Sequence, residues 1–173
     1  MLELLRLFTQ IALLRRGPQD IPASPVLLGL TVLGYFAVNA LVSLVLPPIP
    51  GAWLPQLGVE MLFMLAWYAL LLRVAKRPER FLQTATAMFG YQLVLSPLLI
   101  ASSWLIQRFP QDSVWLFPVL IIALVLAVWL IAAGGHVLKA ALELTLAASV
   151  GLFILQIVAG QLALFVLFTP PTS

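Results

Sequence analysis

The chain has 173 residues, of which 63% are hydrophobic and only 9% are charged. Roughly 25% of the residues in an ordinary soluble domain are charged. A domain of this size has too high a surface-to-volume ratio to bury so many apolar side chains. A water-soluble enzyme, a disordered chain and a nucleic-acid-binding domain are therefore excluded. The nine Lys and Arg residues outnumber the six Asp and Glu residues, and their scatter along an apolar chain indicates charge at a membrane surface.

Long uncharged stretches predict membrane-spanning helices, each of which needs about 20 apolar residues to cross about 30 Å of hydrocarbon. The first predicted span is residues 26–46, with Ser24 as the helix N-cap and three prolines after its end. The second is residues 57–74, which contain Glu60. A carboxylate is unfavourable at the centre of a bilayer, so we expect Glu60 to lie within one turn of the membrane border.

Three further spans follow, at residues 81–106, 114–133 and 139–168. The Gly134-Gly135 pair predicts a tight joint between the last two, because glycine disfavours the interior of a helix. Cysteine is absent, which excludes disulfides. The sequence therefore predicts an all-α fold: a single membrane domain over 1–173, built as a polytopic helical bundle with five transmembrane helices.

Residues 1–16 predict an additional amphipathic helix. One face carries polar side chains and the other is largely apolar. The segment lacks the small-residue cleavage site of a signal peptide, so we do not expect it to be one. Two interpretations stay open and are compatible. The helix lies in the membrane interface, attracted to anionic lipid, or it caps the bundle.

The distribution of basic residues predicts the orientation. One side of the predicted bundle carries eight of the nine basic residues and the other side carries Arg108 alone. Besides Lys139, that first set is Arg6, Arg15, Arg16, Arg73, Lys76, Arg77 and Arg80. The positive-inside rule therefore predicts a multi-pass protein of the bacterial inner membrane with a cytoplasmic N-terminus and a periplasmic C-terminus.

Ionisable and amide residues at membrane depth are the candidate functional residues. The set is Glu60, Gln92, His136, Lys139, Glu143 and Gln156. Lys139 and Glu143 are four residues apart, so we expect them to pair on one helix face, with His136 one turn earlier. The favoured interpretation is structural, and a proton-relay or ligand role is the alternative. For Glu60 the alternatives are an interfacial side chain and a buried carboxylate lining a polar pocket.

Known catalytic and cofactor-binding patterns are absent from the sequence. One histidine and no cysteine do not supply a usual zinc site. No nucleophile elbow, Walker loop or dinucleotide fingerprint occurs. We therefore expect no enzyme activity, no metal and no cofactor.

Three segments carry a family resemblance: residues 15–25 (RRGPQDIPASP), residues 77–84 (RPERFLQT) followed by Phe89-Gly90-Tyr91 and Pro97, and residues 135–143 (GHVLKAALE). They resemble small bacterial membrane proteins of the Yip1-type superfamily. The third span of that superfamily often carries Gly-Tyr followed by Pro. The resemblance implies a five-span bundle without catalytic residues.

The expected function is accordingly non-enzymatic, acting through contacts with the lipid bilayer or with an unidentified membrane protein partner. Anionic lipid at the cytoplasmic face is the expected lipid contact, and nucleic acid is not an expected partner. The alternative is a small transporter or an ion or proton pathway that uses Glu60, His136 and Glu143.

Overall fold

A computed structural model of the chain describes residues 2–45, 53–109 and 114–168. The described residues contain helices and no strands, which confirms the all-α prediction. Six α-helices follow one another in this part of the chain, with 3₁₀ turns at Pro18–Asp20 and Pro78–Arg80. The helices are α1 (Leu2–Ala12), α2 (Pro25–Val45), α3 (Trp53–Val74), α4 (Phe81–Arg108), α5 (Leu116–Leu142) and α6 (Leu146–Phe168).

Helices α2 to α6 are each long and apolar enough to cross a membrane, so the chain is a multi-pass membrane protein. The predicted start of the first span is confirmed, because the hydroxyl of Ser24 accepts a hydrogen bond from the amide of Leu27 at 3.3 Å. The three prolines expected to end that span lie outside the described residues.

Helix α4 is the central helix, and it contacts α1, α2, α3 and α5. Its residues 84–91 are all buried, which is the pattern of a helix covered on every side. Alanines and Gly90 in this segment let the neighbouring helices approach closely, as small residues do in membrane proteins. A Cβ atom on Gly90 would collide with the ring of Phe8, so this glycine makes room for α1.

The predicted joint at Gly134-Gly135 is wrong, and with it the end of the predicted span 114–133 and the start of the predicted span 139–168. Helix α5 continues through both glycines to Leu142, and α6 begins at Leu146. Glycine is tolerated inside membrane helices, where it serves close packing between helices. Cβ atoms on Gly134 and Gly135 would lie 2.5 Å from the Phe153 and Val150 side chains of α6, respectively.

The true joint is a left-handed turn at Glu143, whose φ is 56°. The hydroxyl of Thr145 then accepts a hydrogen bond from the amide of Ala148 at 3.3 Å and so caps α6. His136 and Lys139 consequently lie in the last turns of α5, and none of the three predicted residues of this group lies in α6.

Helix α1 packs on the bundle, as the capping interpretation expects. Phe8, Ile11 and Ala12 are buried against α4 and α5. The indole Nε1 of Trp129 donates a hydrogen bond to the carbonyl oxygen of Ala12 at 2.6 Å. Arg6 on the same helix is exposed, so packing of the apolar side leaves a charge at the surface.

Candidate functional site

A cavity of about 360 Å³ lies among the spanning helices. Its lining residues come from all five of these helices. The cavity lies towards the side of the bundle remote from the basic segment that joins α3 to α4. Its lining includes Glu60 in the second turn of α3 and Ser103 near the end of α4, which both lie on that side. This cavity is called the chamber below. Its polar lining side chains are Tyr35, Asn39, Glu60, Gln92, Ser96, Ser103, Gln156 and Gln161.

Glu60 supplies the carboxylate of the chamber. The Tyr35 hydroxyl donates a hydrogen bond to Glu60 Oε1 over 3.4 Å, which is long for an O–H···O contact. Tyr35 is itself fixed in place, because its ring packs edge-on against Phe89 with centroids 5.2 Å apart. In the described part of the chain, the ion pairs join arginines to Glu143, and none reaches Glu60.

Gln156 of α6 supplies an amide to the chamber. Its side chain is 5% exposed, and its Oε1 atom has no hydrogen-bond partner among the described residues. The fully buried Tyr68 faces this amide from α3. A buried acceptor without a partner is unfavourable in an apolar environment. The Oε1 atom is itself enclosed by protein, so Gln156 belongs to the lining without offering this oxygen to the open space of the chamber.

Pro97 explains the position of one further polar group. A proline inside a helix removes the amide that would bond to the carbonyl four residues earlier, which here is that of Leu93. The Ser96 hydroxyl donates to this Leu93 oxygen at 2.7 Å instead. Ser96 thus satisfies the helix backbone while it lines the chamber.

The rest of the chamber wall is apolar and aromatic. Phe63 lines it and stacks on Trp67 with centroids 5.8 Å apart. Phe153, which is 2% exposed, lines it from α6 and lies against Gly134 on α5. A mainly apolar cavity with a few convergent polar groups is the usual form of a small-molecule binding site.

A second group of charged residues lies at the other end of the bundle, which we call the basic end: Arg73, Lys76, Arg77 and Arg80. Both Arg77 and Arg80 pair with Glu143, the latter at 2.9 Å. The Arg80 guanidinium also donates to the carbonyl oxygens of Ala140 and Ala141 at 3.2 and 3.3 Å. Arg80 thereby caps the end of α5 and joins it to the start of α4.

These arginines set the ionisation of Glu143. Hydrogen bonds from Arg77 and then Arg80 lower the pKa of the Glu143 carboxyl to about 2. The expected Lys139–Glu143 pair is therefore wrong: Lys139 is exposed, and the carboxylate has turned to two arginines from another part of the chain. The left-handed turn at Glu143 ends the helix on which that pair depended.

His136 lies at the same end as Glu143, away from the chamber. Its Nε2 atom is 3.2 Å from the carbonyl oxygen of Arg16, in the segment after α1. Arg6, Arg15, Arg16, Arg73 and Lys76 are exposed at their positions on α1, the following turn and the end of α3.

The candidate residues thus divide into two groups. The chamber brings together Glu60, Gln92 and Gln156, whereas the basic end holds His136, Lys139 and Glu143. Sequence reasoning missed Tyr35 and Asn39. Their spacing of one helical turn on an otherwise apolar span was the available signal. Comparison with protein-family models, with curated proteins and with solved structures gives no match to this chain.

Proposed function

We propose that the chain is a non-enzymatic, multi-pass protein of the bacterial inner membrane that binds a small molecule inside the bilayer. The observation that carries this proposal is the chamber, which combines about 360 Å³ of space with polar groups on four helices. Its volume is at the lower end of the range for ligand pockets, about 300 to 1,000 Å³. Its carboxylate, amide and hydroxyl groups form a recognition set.

The basic end supports a cytoplasmic position for this side of the bundle. Exposed cations on α1, on the turn after it and at the end of α3 would meet anionic lipid headgroups there. The N-terminus would then be cytoplasmic and the C-terminus periplasmic. Contact with anionic lipid, or with a membrane protein partner, is the second part of the proposed role.

A chamber entered from one side is better supported than a route across the membrane. A pathway through Glu60, His136 and Glu143 would have to join the two ends of the bundle. Between them lies the completely buried segment 84–91 of α4. Tyr68 and Tyr91, both 0% exposed, fill this middle layer.

We also propose kinship with the Yip1-type superfamily. The five spanning helices agree with that plan. The Gly90-Tyr91 pair on which the resemblance partly rests lies in the buried centre of α4, where Gly90 contacts Phe8. A packing role for this pair gives a physical reason for such a motif.

The test of the binding role is to fill the chamber. Gly160 lines the chamber, and a Cβ atom there would lie 3.3 Å from the ring of Phe63. Gly160→Leu should therefore occupy ligand space, whereas Gly151→Leu on the same helix meets nothing within 4 Å and is the matched control. We expect native mass spectrometry to find a small molecule on the wild type and on Gly151→Leu, and to find it lost from Gly160→Leu. A bound mass that is equal in all three proteins, or absent from all three, would contradict the proposal.

A further inference from the structure

The described lining of the chamber carries negative charge only. Glu60 is its single carboxylate, and no lysine, arginine or histidine is among its described lining residues. A carboxylate in a low-dielectric cavity needs a proton, a cation or several hydrogen bonds to be stable. The one long hydrogen bond from Tyr35 leaves most of its acceptor capacity open.

The other polar side chains of the described lining are neutral. Asn39, Gln92, Ser96 and Ser103 supply amide and hydroxyl groups, and none of them carries a positive charge that would neutralise the carboxylate. A positively charged ammonium group has donors only and therefore suits a carboxylate with open acceptor positions.

The aromatic and aliphatic walls of the chamber indicate which other chemical groups the ligand carries. Phe63 and Phe153 present aromatic side chains, which attract cations through their faces and also pack against alkyl groups. Met64, Leu99 and Leu164 add aliphatic surface. A bare Ca²⁺ or Mg²⁺ ion would require about six oxygen ligands, and a largely apolar wall does not supply them. The lining favours an organic cation.

We infer that the chamber selects a small organic cation, an ammonium group with apolar substituents, with Glu60 as its counter-ion. This inference rests on the proposed binding function and adds the charge and chemical class of the ligand. Glu60 selects by charge, and the aromatic walls hold the substituents.

The absence of cysteine from the chain makes single-cysteine labelling a direct test. Ser103→Cys puts a thiol in the chamber wall, and Gln107→Cys puts one on the exposed surface of the same helix, one turn on. Each is reacted with a cationic reagent (trimethylammonioethyl methanethiosulfonate) and an anionic one (sulfonatoethyl methanethiosulfonate). The measured quantity is the ratio of the two labelling rates.

We expect the cationic reagent to be favoured at Ser103→Cys by about tenfold relative to Gln107→Cys, as attraction by one nearby carboxylate predicts. Adding Glu60→Gln should remove this preference at Ser103→Cys and leave the ratio at Gln107→Cys unchanged, while Glu60→Asp should preserve it. Because the rate ratio is compared with and without Glu60→Gln at the same cysteine, the electrostatic effect of the nearby Arg108 is the same in both proteins and cancels.

A second measurement avoids changing Glu60. Tetraethylammonium should slow the labelling of Ser103→Cys in the otherwise native chain, and benzenesulfonate should not. Equal protection by both ions, or a rate ratio at Ser103→Cys that matches Gln107→Cys, would overturn the cation inference while the chamber stands. Failure of both reagents to reach Ser103→Cys would instead overturn the proposed binding function.

Discussion

The two halves of the bundle are built in opposite ways. In the half next to the basic end, residues 84–91 of α4 are buried on all sides, two glycines bring α5 against α6, and α1 covers α4 and α5. In the other half, the spanning helices leave a chamber lined by polar side chains. Small residues allow close contact between membrane helices, whereas polar residues at membrane depth usually serve a site. The comparison supports a stabilising role for the first half and the proposed binding role for the second.

The strongest test of this comparison is to replace single glycines in each half with the same bulky residue, leucine. Gly135→Leu should be the most destabilising substitution, because its Cβ would approach Val150 Cα to 3.2 Å and the backbone of α6 would have to move. We expect a loss of about 3 kcal/mol or more, the upper part of the range for overpacking. Thermal unfolding in detergent measures it.

Gly160→Leu and Gly151→Leu are the comparisons for that experiment. The first meets only the side chain of Phe63 and the second meets nothing within 4 Å. Both should retain most of the stability of the wild type. Equal losses at all three positions would show that close packing is not confined to the basic end.

A smaller effect is expected when α1 is loosened. Ile11 is fully buried, whereas Leu5 on the same helix is 51% exposed. Ile11→Ala should weaken the docking of α1 by about 2 kcal/mol, the lower end of the range for buried aliphatic side chains. Leu5→Ala should have little effect.

Trypsin cleavage after Arg15 and Arg16, which lie three and four residues after the end of α1, measures this docking. Arg15 and Arg16 are exposed, but the backbone that follows is held by the buried Gly17 and Pro18. Detachment of α1 frees this backbone for the protease, so cleavage should accelerate at least about tenfold in Ile11→Ala. If Leu5→Ala is cleaved equally fast, α1 is held by something other than its buried side.

The contrast between the halves also indicates what the sequence could predict. The spans and the all-α fold follow from runs of apolar residues between charges, which are local signals. The joint at Glu143 could not be predicted from such signals. Glycine disfavours helices in water, so Gly134-Gly135 predicts a joint at a place where the membrane helix in fact continues. The Thr145 cap was the local signal for the true joint.

Contacts between distant helices account for the other differences. Glu143 pairs with Arg77 and Arg80, which lie 66 and 63 residues earlier in the chain, rather than with Lys139 one turn away. Glu60, Gln92 and Gln156 were recognised singly as polar residues at membrane depth. That they share one chamber depends on how each helix is rotated about its axis, which the nearly uniform apolar composition of the spans does not specify.

The smallest predicted effect is a pH dependence of stability that tests the role of Glu143 at the basic end. Arg77 and Arg80 lower the pKa of Glu143 from its ordinary value of 4.5 to about 2. A carboxyl with a lowered pKa in the folded state contributes stability above its unfolded pKa and loses that contribution as pH falls towards the folded value. Glu143 should therefore stabilise the fold fully above about pH 4.5 and progressively less between pH 4.5 and 2.

Melting temperatures of the wild type and of Glu143→Gln, recorded across this pH window, test the prediction. Their difference should narrow as pH falls, because protonation gives the wild type a neutral side chain like that of the variant. Glu79→Gln, which removes an exposed carboxylate from the neighbouring 3₁₀ turn, should show no such narrowing. Glu143 is exposed and its ion pairs are screened by solvent, so the narrowing should be smaller than the effect of either packing substitution. A difference that stays constant from neutral pH down to pH 2 would mean that these arginines hold α5 through the Ala140 and Ala141 carbonyls, and not through Glu143.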